Sequence, residues 1–263
     1  MSIPEKIQYQ AASPCDLKGK VVLVTGGTRG IGRGIALALG AAGAKVIVSG
    51  RDSAAGAEVI ADIENAGGEG VVVASDLMSD ADVETLVPRA IEQFGQLDVL
   101  VNNAGIDADA PALGYPLESF RKVLRFNLEV PFRLAQQAAE HLVPRGGGVI
   151  INIASVLSFS AVPEAVSYAA AKHGLVGLTR VLAVEWGKLG VRVNAIAPGL
   201  IQTDMTSYLW KGETGAAYVA RRIPLGRIGQ PRDIGGAVVF LASDAADFIH
   251  GETIAIDGGF LAT

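Results

Sequence analysis

Val21-Val-Leu-Val-Thr-Gly-Gly-Thr-Arg-Gly-Ile-Gly32 is the stretch that decides the fold. A continuous apolar run reads as a strand buried on both faces, the usual state of strands in a parallel sheet. It leads directly into glycines at 26, 27, 30 and 32, and apolar residues at helical spacing follow. Glycines let the chain turn sharply and bring backbone N–H groups close to an anion at a helix N-terminus. The spacing is GxxxGxG rather than the GxGxxG of the common dinucleotide fingerprint, but the same physics applies. Taken alone, the loop also fits a tight strand-to-helix turn that binds nothing.

Outward from this loop, short β-branched runs alternate with longer amphipathic stretches. Strands are expected at 21–25, 45–49, 70–74, 98–102, 149–153, 191–197 and 253–256. Helices are expected at 32–42, 54–66, 80–94, 117–142 (broken near Pro131), 164–188 and 231–242. Such alternation predicts right-handed βαβ crossovers and an α/β fold, a doubly wound parallel sheet of about seven strands with helices on both faces. No Pro/Ser-rich linker divides the chain, so a single domain is expected over 16–263, preceded by a flexible arm at 1–15. Residues 201–222 read as a long insertion without clear periodicity.

Composition agrees and excludes other classes. The chain has 263 residues, 50% hydrophobic, with 33 Gly and one cysteine, Cys15. That rules out a disordered chain, a collagen and a disulfide scaffold. The formal net charge of −5 and the lack of basic runs argue against nucleic-acid binding. The N-terminal segment lacks the apolar core of a signal peptide, and the uncharged window 146–163 is interrupted by glycines, serines and a proline. A cytoplasmic protein with no membrane span is expected. His141, His173 and His250 are far apart in sequence, so no metal site is expected.

Further motifs occur in register with the strands. Asp76-Leu77 follows the third strand, Asn102-Asn-Ala-Gly105 the fourth, and Asn127 lies within a helix. Ser155 follows the fifth strand, Tyr168-Ala-Ala-Ala-Lys172 begins thirteen residues later, and Pro198-Gly199 follows the sixth. Together with Thr25-Gly-x-x-x-Gly-Ile-Gly32, their order and spacing resemble the short-chain dehydrogenase/reductase family along nearly the whole chain. The resemblance implies a Rossmann-like fold, a nicotinamide cofactor and hydride transfer between a ketone and a secondary alcohol.

The side chains suit that chemistry. Tyr168 and Lys172 are four apart and share a helix face. A phenol with a pKa near 10 is a poor base at neutral pH, and a neighbouring ammonium together with a cationic nicotinamide is expected to lower it. Tyr168 would then take the hydroxyl proton in oxidation or protonate the carbonyl in reduction, with Ser155 polarising the same oxygen. The resemblance gives Lys172 a second role at the nicotinamide ribose, and gives Asn127 a water that relays protons. Gly26, Thr28, Arg29, Gly30, Ile31 and Gly32 would form the pyrophosphate loop. Asp76 and Leu77 are implied at the adenine, Asn103 along the ribose, and Pro198, Ile201 and Thr203 at the carboxamide.

The residue ending the second strand selects between cofactors, because an acidic side chain there accepts from a ribose 2′-OH. Here the chain reads Ser49-Gly-Arg-Asp52. Arg51 and Arg29 could converge on a 2′-phosphate, which favours NADP(H). The other reading has Arg51 solvated and Asp52 turned inward for NAD(H).

The substrate wall is expected from 200–222 (Tyr208, Leu209, Trp210, Lys211, Tyr218, Arg221, Arg222), 156–162 and 106–113. The first of these is expected either to close as a lid or to contact another subunit. Asp107 and Asp109 bring acidity to the mouth, which suits hydroxyl-bearing or cationic ligands better than anions. A small free ketone, polyol or sugar acid is the expected substrate. A 3-oxoacyl-carrier-protein reductase is the alternative, weakened because Leu189 and Gly146 (beside Arg145) stand where such enzymes place basic docking residues. A non-catalytic NADP-binding scaffold is the remote third. The resemblance also implies a homotetramer pairing helices 117–142 and 164–188, for which Leu175, Val176, Leu178 and Leu182 could form a seam or could equally pack the core.

Overall fold

A computed structural model describes residues 15–204, 206 and 212–263, without side chains at 212–216. Seven parallel strands form one sheet in the order β3-β2-β1-β4-β5-β6-β7. The strands are β1 (Val21–Thr25), β2 (Lys45–Gly50), β3 (Glu69–Ala74), β4 (Val99–Asn102), β5 (Gly148–Ile153), β6 (Val191–Pro198) and β7 (Thr253–Ile256). The helices are α1 (Gly30–Ala41), α2 (Ser53–Asn65), α3 (Asp80–Phe94), α4 (Leu117–Leu124), α5 (Val130–Leu142), α6 (Val166–Trp186), α7 (Gly212–Arg222) and α8 (Pro231–Ala242). Strand boundaries lie within about one residue of the sequence expectation.

The period-2 alternation of β1 assigns its side chains to two cores. Val22 and Val24 pack with Ile35 and Leu39 of α1, Val59 and Ile63 of α2, and Ile234 and Val238 of α8. Val21 and Leu23 pack on the other face with Leu86 of α3, Leu134 and Leu142 of α5, and Leu182 of α6. Glycine lets α1 and α8 cross closely: a Cβ at Gly34 would lie 2.6 Å from the Pro231 side chain.

Strand order reverses between β1 and β4, and the crevice beyond their C-terminal ends is where open α/β sheets bind ligands. The glycine loop, Asp76-Leu77, Asn103–Gly105, Ser155 and Gly199 follow strand ends at that edge.

Two expectations need correction. The helix at 117–142 does not break at Pro131; it continues through a π-turn, Arg125–Glu129. Pro131 has no N–H to offer, and the chain adapts one turn earlier, where the Val130 N–H reaches back to the Arg125 carbonyl. Within the stretch expected to lack periodicity, 212–222 is helical as α7. Tyr208, Leu209, Trp210 and Lys211 lie outside the described residues, as do residues 1–14 of the expected arm.

Candidate active site

The glycine loop is built to leave N–H groups available. α1 starts at Gly30, its N-cap Arg29 makes no side-chain capping bond, and its first turn carries no acidic residue. The N-terminal amides of α1 thus lack a side-chain acceptor and are suited to an anion. Gly32 must be glycine, because a Cβ there would lie 2.1 Å from the Gly26 carbonyl oxygen and 2.5 Å from Asn103 Nδ2. Thr203 faces the loop from across the crevice, with Cγ2 3.3 Å from where a Gly30 Cβ would be. Ile31 is half-buried and packs on the core beneath the loop.

The segment after β4 is fastened to this loop. Thr25 Oγ1 accepts the Asn103 and Ala104 N–H groups at 3.0 and 3.1 Å. Asn103 Nδ2 donates back to the Thr25 and Gly26 carbonyls at 2.8 and 3.1 Å. The Asn103 amide nitrogen is therefore committed to scaffolding.

At the end of β2, Gly50 adjoins Thr28: a Cβ at 50 would lie 2.7 Å from Thr28 Cγ2. Asp52 does not turn inward; it caps α2, with Oδ1 accepting the Ala55 N–H at 3.0 Å. Arg29 and Arg51 are exposed, and among the described residues neither has an ion-pair partner. Asp76 accepts the Met78 N–H at 3.0 Å and Leu77 is buried, which fixes the turn into α3. On the far side, Pro198 ends β6, buried Ile201 bridges to Gly229, and the Thr203 N–H donates to Thr206 Oγ1 at 3.2 Å.

Ser155, Tyr168 and Lys172 come together beside that crevice. Ser155 lies two residues beyond β5 and caps a short 3-10 turn, its Oγ accepting the Leu157 N–H at 3.1 Å. Tyr168 is in the first turn of α6. Lys172 is only 3% exposed; its Nζ donates to the Ile153 carbonyl at 2.7 Å and lies 5.5 Å from the Tyr168 ring centroid. The Ser158 hydroxyl donates to the Lys172 carbonyl at 2.8 Å, holding the helix against the β5 end.

The fully buried Asn127 sits in the π-turn, and its side chain is used up locally. Nδ2 donates to the Ile106 carbonyl at 2.7 Å and Oδ1 accepts the Ile106 N–H at 3.0 Å. Its backbone carbonyl receives no α-helical N–H from Pro131 four residues on, because proline has none.

The protein's own groups shift the Tyr168 phenol upward. Burial pushes the Tyr168 phenol up to about 12; the charges of Asp107 and Asp109 add to that, and the Ser155 hydroxyl pulls the other way. Lys172 does not reverse the shift. Burial lowers its own pKa to about 8, opposed by the charge of Asp107. Among the protein's own groups, then, the phenol is held neutral at pH 7.

Sequence reading missed a second layer at the mouth. Tyr115 Oη donates to the Ala108 carbonyl at 2.7 Å and lies 2.8 Å from Ser167 Oγ, the neighbour of Tyr168. No local pattern marks Tyr115; its partners lie seven and fifty-two residues away. Leu113, Phe159 and Val162 expose apolar surface on the expected walls. Tyr218 is half-buried and Arg221 exposed, whereas Arg222 stacks over Phe260, 4.6 Å from the ring centroid, as a packing residue. Leu175, Val176 and Leu182 are buried in the core and Leu178 packs half-buried against it; on α6 the large exposed hydrophobics are Val166, Val181 and Val184.

No helix among the described residues is long and apolar enough to cross a membrane. Among them, no group of three or more His, Cys, Asp or Glu could hold a metal ion.

Residues 26–261 match a family model described as enoyl-(acyl carrier protein) reductase. The chain is 41% identical to the 2-dehydro-3-deoxy-D-gluconate 5-dehydrogenase of Escherichia coli (strain K12), over 95% of this chain and 98% of that one. It is 40% identical to a 3-oxoacyl-[acyl-carrier-protein] reductase of Synechocystis sp., over 93% of this chain and 98% of that one. Among solved structures, the gluconate 5-dehydrogenase of Burkholderia cenocepacia J2315 in complex with NADP and tartrate superposes with a TM-score of 0.90. It is 33% identical, and the match covers 96% of this chain and 100% of that one.

Proposed function

The chain belongs to the short-chain dehydrogenase/reductase family, and on that premise we propose an NADP(H)-preferring oxidoreductase acting on a small ketone or secondary alcohol of polyol or sugar-acid size. The observation that carries the reading is the convergence of Ser155, Tyr168 and the buried Lys172 beside a glycine loop whose helix amides have no side-chain cap.

The residues present fit the cofactor. Gly26, Thr28, Arg29, Gly30, Ile31 and Gly32 would hold the pyrophosphate, Asp76, Leu77 and Asn103 the adenosine side, and Pro198, Ile201 and Thr203 the carboxamide. Arg29 and Arg51 would take the 2′-phosphate. With Thr28 against Gly50, Asp52 is committed to α2 and is not poised for a bare 2′-OH, although NAD(H) would keep the other contacts. When bound, the nicotinamide supplies or accepts the hydride.

Ser155 would donate to the substrate oxygen, and the Tyr168 phenol would hand its proton to that same oxygen in reduction. A neutral phenol is already in the state this step needs. In the oxidative direction the phenol must first lose its proton, so added positive charge near it is required. Lys172 fixes the helix turn that carries Tyr168 and supplies part of that charge. Asn127 would position the 105–107 segment with its side chain and offer its backbone carbonyl to a proton-relaying water.

A carrier-protein substrate is disfavoured, since Leu189 is apolar and Arg145 is engaged with Gln96 at 3.2 Å and Asp98 at 3.9 Å. Retention of both Tyr168 and Lys172 argues against a non-catalytic scaffold. Exposed Phe132, Val181 and Val184 support pairing of α5 and α6 with a second copy, within a homotetramer in the cytoplasm. A panel of simple ketones, polyols, sugar acids and an acetoacetyl thioester, followed by NADPH absorbance in both directions, tests the reading. Activity confined to the thioester would overturn it.

A further inference from the structure

Tyr168 occupies the first turn of α6, and that turn lacks the usual fastening. The start of a helix leaves four N–H groups unbonded and frays unless side chains cap it. The N-cap of α6 is Ala165, which makes no side-chain capping bond, and the first turn carries no acidic residue. Beyond Tyr168 the helix is well secured: Lys172 Nζ donates to the Ile153 carbonyl at 2.7 Å, and Ser158 donates to the Lys172 carbonyl at 2.8 Å. Ahead of Tyr168 the fastening comes from outside the helix.

It comes from the segment after β4. The side chain of Ser167, a residue only 1% exposed, places Oγ 2.8 Å from Tyr115 Oη, which lies 2.7 Å from the Ala108 carbonyl oxygen. A phenol has a single proton to give, and the carbonyl takes it, so the Ser167 hydroxyl is the donor to Tyr115. The result is a donor chain from Ser167 through Tyr115 to Ala108, in which each bond polarises the next. Beside it, the Ala110 N–H donates to the Glu164 carbonyl at 3.1 Å. Glu164 has a φ of +70°, the one positive value outside glycine among the described residues. A side chain in that region is strained and persists only where its surroundings hold it. The other end of the segment is anchored through Ile106, whose N–H and carbonyl pair with the buried Asn127 side chain at 3.0 and 2.7 Å.

We propose that Tyr115 is a positioning residue for the proton transfer: its hydroxyl stands in for the missing cap, fastens the first turn of α6 through Ser167, and so fixes where the Tyr168 phenol meets the substrate oxygen. This deepens the oxidoreductase reading and rests on it. Tyr115 acts through Tyr168 and need touch neither substrate nor cofactor. Proton transfer requires the two oxygens within hydrogen-bond reach, and a misplacement of about 1 Å costs on the order of a hundredfold in rate. A phenol on a fraying turn spends part of its time outside that range. The residues proposed for the pyrophosphate and 2′-phosphate lie on the glycine loop and after β2, outside this clasp, so NADPH affinity should hardly respond.

The test compares wild type, Tyr115→Phe, which deletes one hydroxyl and keeps the ring, Ser167→Ala and the double variant, all with NADPH bound. Amide hydrogen exchange across residues 166–172 is followed by mass spectrometry. Reduction of 2,3-butanedione, and of any panel compound the wild type turns over, gives kcat and KM. Exchange in both single variants should quicken about threefold or more, because the turn opens more often. Their kcat should fall about tenfold while KM and the NADPH dissociation constant stay within about twofold. The double variant should be no worse than the more affected single one, since both hydroxyls belong to one contact. A wild-type kcat in Tyr115→Phe, unchanged exchange, multiplying losses in the double variant, or equal losses in KM and NADPH affinity would overturn the inference and leave the oxidoreductase reading standing. Turnover of no compound by wild type that still binds NADPH would sink that reading and the inference with it. If Tyr115→Phe fails to fold, Ser167→Ala, which cuts the same contact from its other end, decides.

Discussion

The Lys172 ammonium lies 5.5 Å from the centroid of the Tyr168 ring while donating to the Ile153 carbonyl at 2.7 Å. One buried cation thus fastens α6 to the end of β5 and sits beside the phenol that would move the proton.

Tyr168→Phe should lower kcat by about a hundredfold or more, with NADPH binding by fluorescence little changed, because only the proton donor is removed. With Tyr168 raised to about 12, the ultraviolet titration of the wild type below pH 10.5 should match that of the variant. A tyrosine that ionises near pH 9 in the wild type and is missing from the variant would contradict the burial argument.

Lys172→Met should abolish turnover without lowering stability at pH 7, since it replaces a buried charge by an apolar chain of similar length. Between its lowered folded pKa, about 8, and its ordinary 10.5, the unfolded chain holds the extra proton. The wild type should therefore gain stability from this residue as pH rises through that window, and the variant should not. Denaturant unfolding at pH 7 and pH 9.5 compares the two.

Arg51→Ala should lower kcat/KM for NADPH by about ten- to a hundredfold and leave that for NADH nearly unchanged, as expected for one charge-assisted contact. Equal losses with both cofactors would place Arg51 away from the 2′-phosphate.

His141 Nε2 accepts the Leu97 N–H at 3.2 Å, next to the Asp98 carboxylate that receives the Val21 N–H at 2.7 Å. Burial and the Arg145 charge lower the His141 pKa below its ordinary 6.5. The unfolded chain binds the proton more readily, so this stabilisation is full above pH 6.5 and lost as pH falls through the folded value. His141→Gln, which keeps an acceptor, should flatten the acid side of a plot of stability against pH.

Much of the fold was legible because its signals are local. Val21–Thr25 reads as a strand from five adjacent residues, and the glycines after it read as a turn from their missing side chains. Pro131 was a weaker guide: a proline predicts a lost N–H, but only packing decides whether the helix breaks or shifts through a π-turn. Asp52 was ambiguous for a similar reason, since a carboxylate after a strand can cap the next helix or face the crevice. The Ala55 N–H takes it. Tyr115 carried no signal, because its partners are distant in the chain.

The sequence by itself determined the parallel α/β sheet and the residues brought to one edge of it. Strand and helix periods, and the order of motifs along them, are properties of near neighbours. Tertiary structure alone decided the protons. The Tyr168 pKa is pushed up and that of Lys172 down because desolvation depends on everything packed around them. The charges that reinforce or oppose these shifts come from Asp107 and Asp109, more than fifty residues away in sequence and adjacent only once the chain has folded.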